Sequence, residues 1–330
     1  MTIIRAALAV ALALGVLAAS LGVEAQPPGK VYRIGYLSSN PPETFRIHVF
    51  RQALRESGWV EGQNIIVEYR SANGKLDRLP GLAAELAGLN VDVIVAVPTV
   101  SALAAKRATS KIPIVFTHVS DPVGAGLVTS LARPGGNVTG FTHLNTSLNP
   151  KRLEILRETV PQVAQVAALW HPGGLGERTE RAMLKETEAA ARALGLSLQL
   201  LEARGPADLD RVFAAVARSR SGALIVLPGP IFLSEPGRVV DLVAKSRLPA
   251  IYFAREFAEA GGLMAYGADM GDILRGAASS VDKILRGTEP ANLPVEQGSK
   301  FELVINLKTT RALGLTIPPA LLQRADQIIE

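Results

Sequence analysis

His118, Ser120 and Asp121 stand together in the stretch PIVFTHVSDPVGAGLV, Pro113 to Val128, and between them carry the side-chain types of a hydrolase triad. Triad members come from separate elements that a fold brings together, and neighbouring residues of a strand point to opposite faces. This trio therefore does not converge, and the chain contains no G-x-S-x-G elbow and no HExxH. His48, His118, His143 and His171 show no metal-ligand spacing. Gly124 and Gly126 begin a G-x-G pattern, but Thr129 occupies the place of the third glycine of a dinucleotide loop, and no GK[ST] loop occurs. No catalytic residue, metal or cofactor is expected. The glycines are instead read as a tight turn opening a helix, GLVTSLARPGG, that Gly135 and Gly136 close.

A second constellation is spread along the chain. In open α/β sheets ligands bind beyond the carboxyl ends of the strands, where the N–H groups of helix starts are free to donate. That rule selects Ser38 and Ser39, Thr99 and Ser101, and Ser120 and Asp121 in the first half of the chain. In the second half it selects Trp170 and His171, Pro228 and Gly229, Tyr252 and Phe253, and then Tyr266. Hydroxyls and helix starts suit a carboxylate, and Asp121 suits an ammonium group. Trp170, Tyr252 and Tyr266 offer aromatic faces for an apolar or aromatic body. Thr99 also reads as an ordinary helix cap, and each aromatic reads equally well as core.

The elements that position these residues follow from hydrophobic patterning. VYRIGYL, NIIVEYR, VDVIVAV and IPIVFTH are nearly continuous apolar runs, as expected of strands buried on both faces. Between them ETFRIHVFRQALRESG, KLDRLPGLAAELAGL and TVSALAAKRATS read as helices, giving a parallel sheet covered on both sides. The rhythm then repeats through QVAALWHPG, LSLQLLEA, ALIVLPG and LPAIYFA, with Pro98 matched by Pro228 and Pro113 by Pro249 at similar spacing. The expectation is α/β: two doubly wound parallel-sheet lobes of the same design. GGLMAYG, a helix from Asp269 to Arg286, and LPVEQGSKFELVINLKTTRALGLTIP follow, so the chain crosses between lobes more than once and makes a multi-strand hinge around a cleft. The expected lobes are residues 31–145 with 255–290, and residues 146–254 with 291–330.

The remaining features narrow the setting. Arg5, an apolar run from Ala6 to Leu21 and the small residues of VEA predict an export signal over residues 1–25, cleaved after Ala25. No cysteine follows it to carry a lipid, and the chain has none at all, so stability is expected from packing without disulfides. The net charge of +5 is dispersed with no basic block, which argues against nucleic acid as a partner. A two-lobed glycosyltransferase-like enzyme would need a catalytic base and a diphosphate loop, neither of which is found; an exported sensor subunit would share the same two-lobe design.

Long stretches carry a resemblance: GWVEGQNIIVEYRSANGKLDRLPGLAAELAGLNVDVIVA, SDPVGAGLVTSLARPGGNVTGF, KRLEILRETVP, EFAEAGGLMAYG and LPVEQGSKFELVINLKTTRALGLTIPPALLQRADQIIE. With them the chain resembles the ABC-transporter substrate-binding proteins of type I periplasmic-binding fold, a branch that includes aromatic amino acid binders. The resemblance implies a periplasmic, monomeric receptor that closes on a small solute and serves a membrane permease and its ATPase. It implies ligand-facing roles for Ser38, Thr99 and Asp121. LPGPIFLSEPGR departs from the usual pattern of the family, where a different polar loop is frequent.

Overall fold

The computed structural model describes residues 30–143 and 145–330, and the side chains of all of these except residues 44 and 45. The expected export signal lies outside the described residues. From Tyr32 onward the chain is one compact unit built on two sheets. The first contains β1 (Tyr32–Ser38), β2 (Ile65–Ser71), β3 (Val93–Val97), β4 (Ile114–Val119), β5 (Val138–Thr142) and β11 (Glu296–Gln297). All of its pairings are parallel, in the order β11-β5-β4-β3-β1-β2. The second contains β6 (Gln165–Trp170), β7 (Ser197–Glu202), β8 (Ala223–Val226), β9 (Ala250–Tyr252), β10 (Met264–Ala268), β12 (Phe301–Asn306) and β13 (Gln327–Ile329), in the order β13-β12-β10-β9-β8-β6-β7. Its one antiparallel pairing is β10 with β12.

The windings β2-β1-β3-β4-β5 and β7-β6-β8-β9-β10 are the same, so the spacing of matched prolines reflects a repeated architecture. Each central strand is apolar on both faces because helices cover both; β3 and β8 are buried at every residue. The helix Met270–Leu285 starts at Asp269, whose side chain accepts from the N–H groups of Gly271 and Asp272. It packs on the first sheet beside the helix Ile47–Glu56, burying Ile273, Leu274, Ala277 and Val281 with Phe50 and Leu54. Gly276 is required by close approach: a Cβ there would sit 2.1 Å from the Phe141 ring.

Three features differ from expectation. The chain passes between sheets after β5, after β10, and between β11 and β12. Because Met264–Ala268 pairs in the second sheet and Glu296–Gln297 in the first, the later two crossings fall beyond the expected boundaries at residues 255 and 291. The strand β5, in NVTGFT, was not expected, since Thr139 and Gly140 break its apolar run although both are buried. The stretch from Gly126 to Pro134 forms turns, not the expected helix. Gly126 adopts a φ of 73°, Lys106 Nζ donates to the carbonyls of Gly126 and Leu127 at 2.7 and 3.1 Å, and Leu127 and Val128 are drawn into the core. Those contacts hold the segment in a compact loop.

Candidate functional site

The carboxyl ends of both sheets meet across a narrow space lined by Pro98, His118, Ser120, His143 and Asn145 from one side and Leu175, Pro228, Gly229, Pro230, Leu233 and Phe253 from the other, with Met270 at the hinge. Its free volume is about 30 Å³, space for a single water. The lobes touch around it: Asn40 Nδ2 donates to the Pro230 carbonyl at 3.0 Å, Thr179 Oγ1 to Asp121 Oδ2 at 3.4 Å, and Arg46 lies 3.7 Å from Glu256. Leu233 packs on the cores of both lobes. The structure is therefore that of a closed cleft.

The first lobe supplies the polar wall. Ser38 Oγ donates to the Asn40 carbonyl at 2.6 Å, turning the chain at the end of β1. Ser39 is fully buried and its Oγ has no partner among the described residues; the same holds for Ser101 in the first turn of the helix Thr99–Ala108. Thr99 does not cap that helix with its side chain; it is its first residue, after Pro98. At the end of β4, His118 is held at a φ of 57°, the left-handed region that non-glycine residues seldom occupy. His143, just past β5, accepts from the Asn145 N–H at its Nδ1, 3.2 Å away, which fixes the proton of the neutral ring on Nε2. Ser120 Oγ lies 3.4 Å from the same Nδ1. Its hydroxyl proton is thereby directed at the imidazole, and its oxygen is left to accept from a ligand.

Burial makes these histidines neutral at physiological pH. It lowers His118 to about 3, with His143 and Arg46 adding to the effect, and lowers His143 to about 4, with Arg152 adding. On the second lobe, burial likewise brings His171 to about 4, against the opposing effect of a backbone hydrogen bond at Arg204. Its Nδ1 has no partner among the described residues. The cleft thus offers uncharged donors and acceptors on one side and an apolar cover on the other. Among the described residues no group of three or more His, Asp and Glu is placed to hold a metal.

The sequence-selected residues divide in two. Ser38, Ser39, Thr99, Ser101, Ser120 and Asp121 gather at the carboxyl edge of the first sheet. Asp121 is engaged within the protein, its Oδ1 accepting from the Gly124 N–H at 2.7 Å and its Oδ2 from Thr179 across the cleft. The three aromatics are not brought to the cleft. Trp170 packs on the outer core of the second lobe, Tyr252 is buried in the core and stacks on Phe257 at 4.9 Å, and Tyr266 lies against Phe301. In two cases the other member of the selected pair takes the place: Phe253 lines the cleft, and His171 sits under Gly174 and Gly229 beside it. Side chains alternate along a strand, so an error of one residue exchanges core for cleft. His143 and Asn145 were missed because they follow the unexpected β5.

A family model described as "ABC transporter substrate binding protein" matches residues 41–329. The chain belongs to this family. The ABC substrate-binding chain is 28% identical over 269 residues, 81% of its length and 75% of the relative, to a tyrosine-binding protein of Clostridioides difficile strain R20291. A conserved domain protein from Vibrio cholerae, 30% identical, superposes with a TM-score of 0.83 over 91% of this chain and all of that one. A domain from Streptococcus pneumonia in complex with L-Trp, 25% identical, gives the same TM-score and coverage. The work of the family is solute binding rather than catalysis, and its two-lobed α/β fold is that of type I periplasmic binding proteins.

Proposed function

We propose that this substrate-binding protein is exported to the periplasm by residues 1–25, acts as a monomer, and delivers a small solute to a membrane permease driven by a separate ATPase. The solute is of the aromatic amino acid or aromatic acid class. One observation carries this reading: the interlobe cleft sets Leu175, Leu233 and Phe253 opposite Ser120, Asn145 and two neutral histidines, with Met270 at the hinge. That division suits a solute with an apolar body and a polar end. The relatives add weight, since one is named for tyrosine and another was crystallised with L-Trp.

The unpartnered Oγ atoms of Ser39 and Ser101 support the same reading, because a buried hydroxyl without a partner is costly unless a ligand or water satisfies it. Ser38, Ser39, Thr99, Ser101 and Ser120 form the polar end of the site, Ser120 accepting from a ligand N–H. Phe253 covers the body in place of Tyr252, and Asp121 holds the lobes together through Thr179. With room for about one water when closed, the space around Ser120, His143, Asn145 and Phe253 admits a solute only by opening, so binding there selects a closure shaped around the ligand. A thermal-shift screen of residues 26–330 against amino acids and aromatic acids tests this. Tyrosine, tryptophan or an aromatic acid raises Tm, since a ligand held only by the folded protein must stabilise it; a screen in which none does so refutes the reading.

A further inference from the structure

Arg152 is fully buried, in the helix Asn149–Thr159 at the first crossing between lobes. Its Nε donates to the Tyr266 carbonyl at 2.7 Å and its Nη1 to the Asn145 carbonyl at 2.7 Å and to Asn149 Oδ1 at 2.5 Å. Its Nη2 donates to Asn145 Oδ1. Every acceptor is neutral, and no carboxylate lies within ion-pair distance of it among the described residues. The residue also sits in the first turns of its helix, where the positive end of the dipole disfavours a cation. Burial lowers the guanidinium to about 9, which leaves it charged at neutral pH. A buried cation with no counter-charge is costly, and an apolar residue there would be cheaper for folding alone. Its presence is explained if the negative partner arrives with the ligand.

Asn145 connects this charge to the cleft. It is almost wholly buried and lines the cavity between the lobes. The guanidinium claims its Oδ1, since the opposite amide orientation would set N–H against N–H. The Nδ2 group is left without a hydrogen bond to any described residue. The positive end of the amide therefore faces the space where a solute must sit, and one amide group separates that space from a buried cation.

We infer that Asn145 Nδ2 binds a carboxylate oxygen of the solute and that Arg152 is the residue that orients Asn145 and lends the site its positive potential. This deepens the proposed function and rests on it for the location of the site, but it makes a separate demand: the solute is an acid, and its carboxylate lies at the hinge end of the cleft. Ser120, whose oxygen is free to accept, then meets an N–H on the same solute. Both ends of a zwitterion are held by neutral groups.

The test uses residues 26–330 and matched acid and amide probes: L-tryptophan with L-tryptophanamide, benzoate with benzamide, and L-leucine with L-leucinamide, each titrated by calorimetry. Wild type prefers acid to amide by about 30-fold, the scale of one charge-assisted hydrogen bond in a dry site. Asn145→Asp, nearly isosteric, gives Arg152 a carboxylate of its own; it keeps or raises Tm and brings the preference below about threefold, because donor and positive potential are both lost. Arg152→Lys keeps the charge but not the fork, and lowers the preference partway. Acid and amide bound equally by wild type, no acid bound at all, or an acid preference that survives Asn145→Asp overturns the inference. If leucine binds with acid preference and no aromatic probe does, the aromatic reading falls while the inference stands. If tryptophan and its amide bind alike, the reverse holds.

Discussion

Lowering the pH from 7 to 5 should destabilise this protein before its exposed carboxylates titrate. His118, His143 and His171 are neutral when folded, with values brought by burial to about 3, 4 and 4. In the unfolded chain each takes up a proton near pH 6.5. Unfolding therefore binds protons in this window, so stability is complete above about pH 6.5 and is lost as pH falls toward the folded values. For each group the loss between pH 7 and 5 is about 2 kcal/mol, or about 6 kcal/mol for the three. Glu302 acts in the opposite direction. Burial raises it to about 7, although Arg255 lies only 2.8 Å away and favours its charged form. Proton uptake at that value offsets about one histidine's share, about 2 kcal/mol, and burial raises Glu256 as well, which acts in the same sense. A net loss of at most about 4 kcal/mol is thus expected, still a large part of the ~5–15 kcal/mol typical of a folded protein. Urea denaturation at pH 7, 6 and 5 measures it, and His171→Gln should reduce the pH slope by about a third of the histidine contribution. Equal stability at pH 7 and 5, or a slope that the substitution leaves unchanged, would refute the argument from buried neutral rings.

Three substitutions extend the account. Asn40→Ala removes the hydrogen bond that joins the lobes at Pro230, and should weaken solute affinity by about fivefold, mainly through faster dissociation, as read by stopped-flow fluorescence. Asp121→Ala breaks both the turn at Gly124 and the contact with Thr179; calorimetry should show about 2 kcal/mol less binding free energy, and unchanged affinity would exclude Asp121 from closure and from contact alike. Gly276→Ala drives a methyl into the Phe141 ring and should lower stability by about 1–3 kcal/mol in a denaturant melt with no specific effect on solute selectivity.

Much of the architecture is legible in the sequence because strands covered on both faces must be largely apolar; β3 and β8 are written wholly as such runs, and β1 and β4 nearly so. The second half repeats the first closely enough for the repeat to be visible in prolines alone. The phase at which a strand ends is a different matter. Trp170 and Tyr252 are the last residues of β6 and β9, and their rings turn into the second-lobe cores, while His171 and Phe253 take the cleft side. A hydrophobic run shows that a strand is present but not which of its last two side chains faces the ligand. The strand β5 escaped notice because Thr139 and Gly140 are buried polar and small residues, and with it went His143 and Asn145. Arg152 illustrates a further limit: its partners Asn145 and Tyr266 come from separate crossings of the hinge, and only the folded chain brings them within hydrogen-bonding distance.

The central claim is that a solute is enclosed between two lobes that close on it, and interlobe distance tests this most directly. The chain has no cysteine, so Lys75→Cys on the first lobe and Arg204→Cys on the second can be labelled without background, both positions being exposed. Single-molecule energy transfer between them is measured as L-tryptophan or L-tyrosine is added. The account predicts an open and a closed population in the free protein, with the closed one growing to saturation at one solute per chain. Saturable binding with no change in the distance distribution would contradict it.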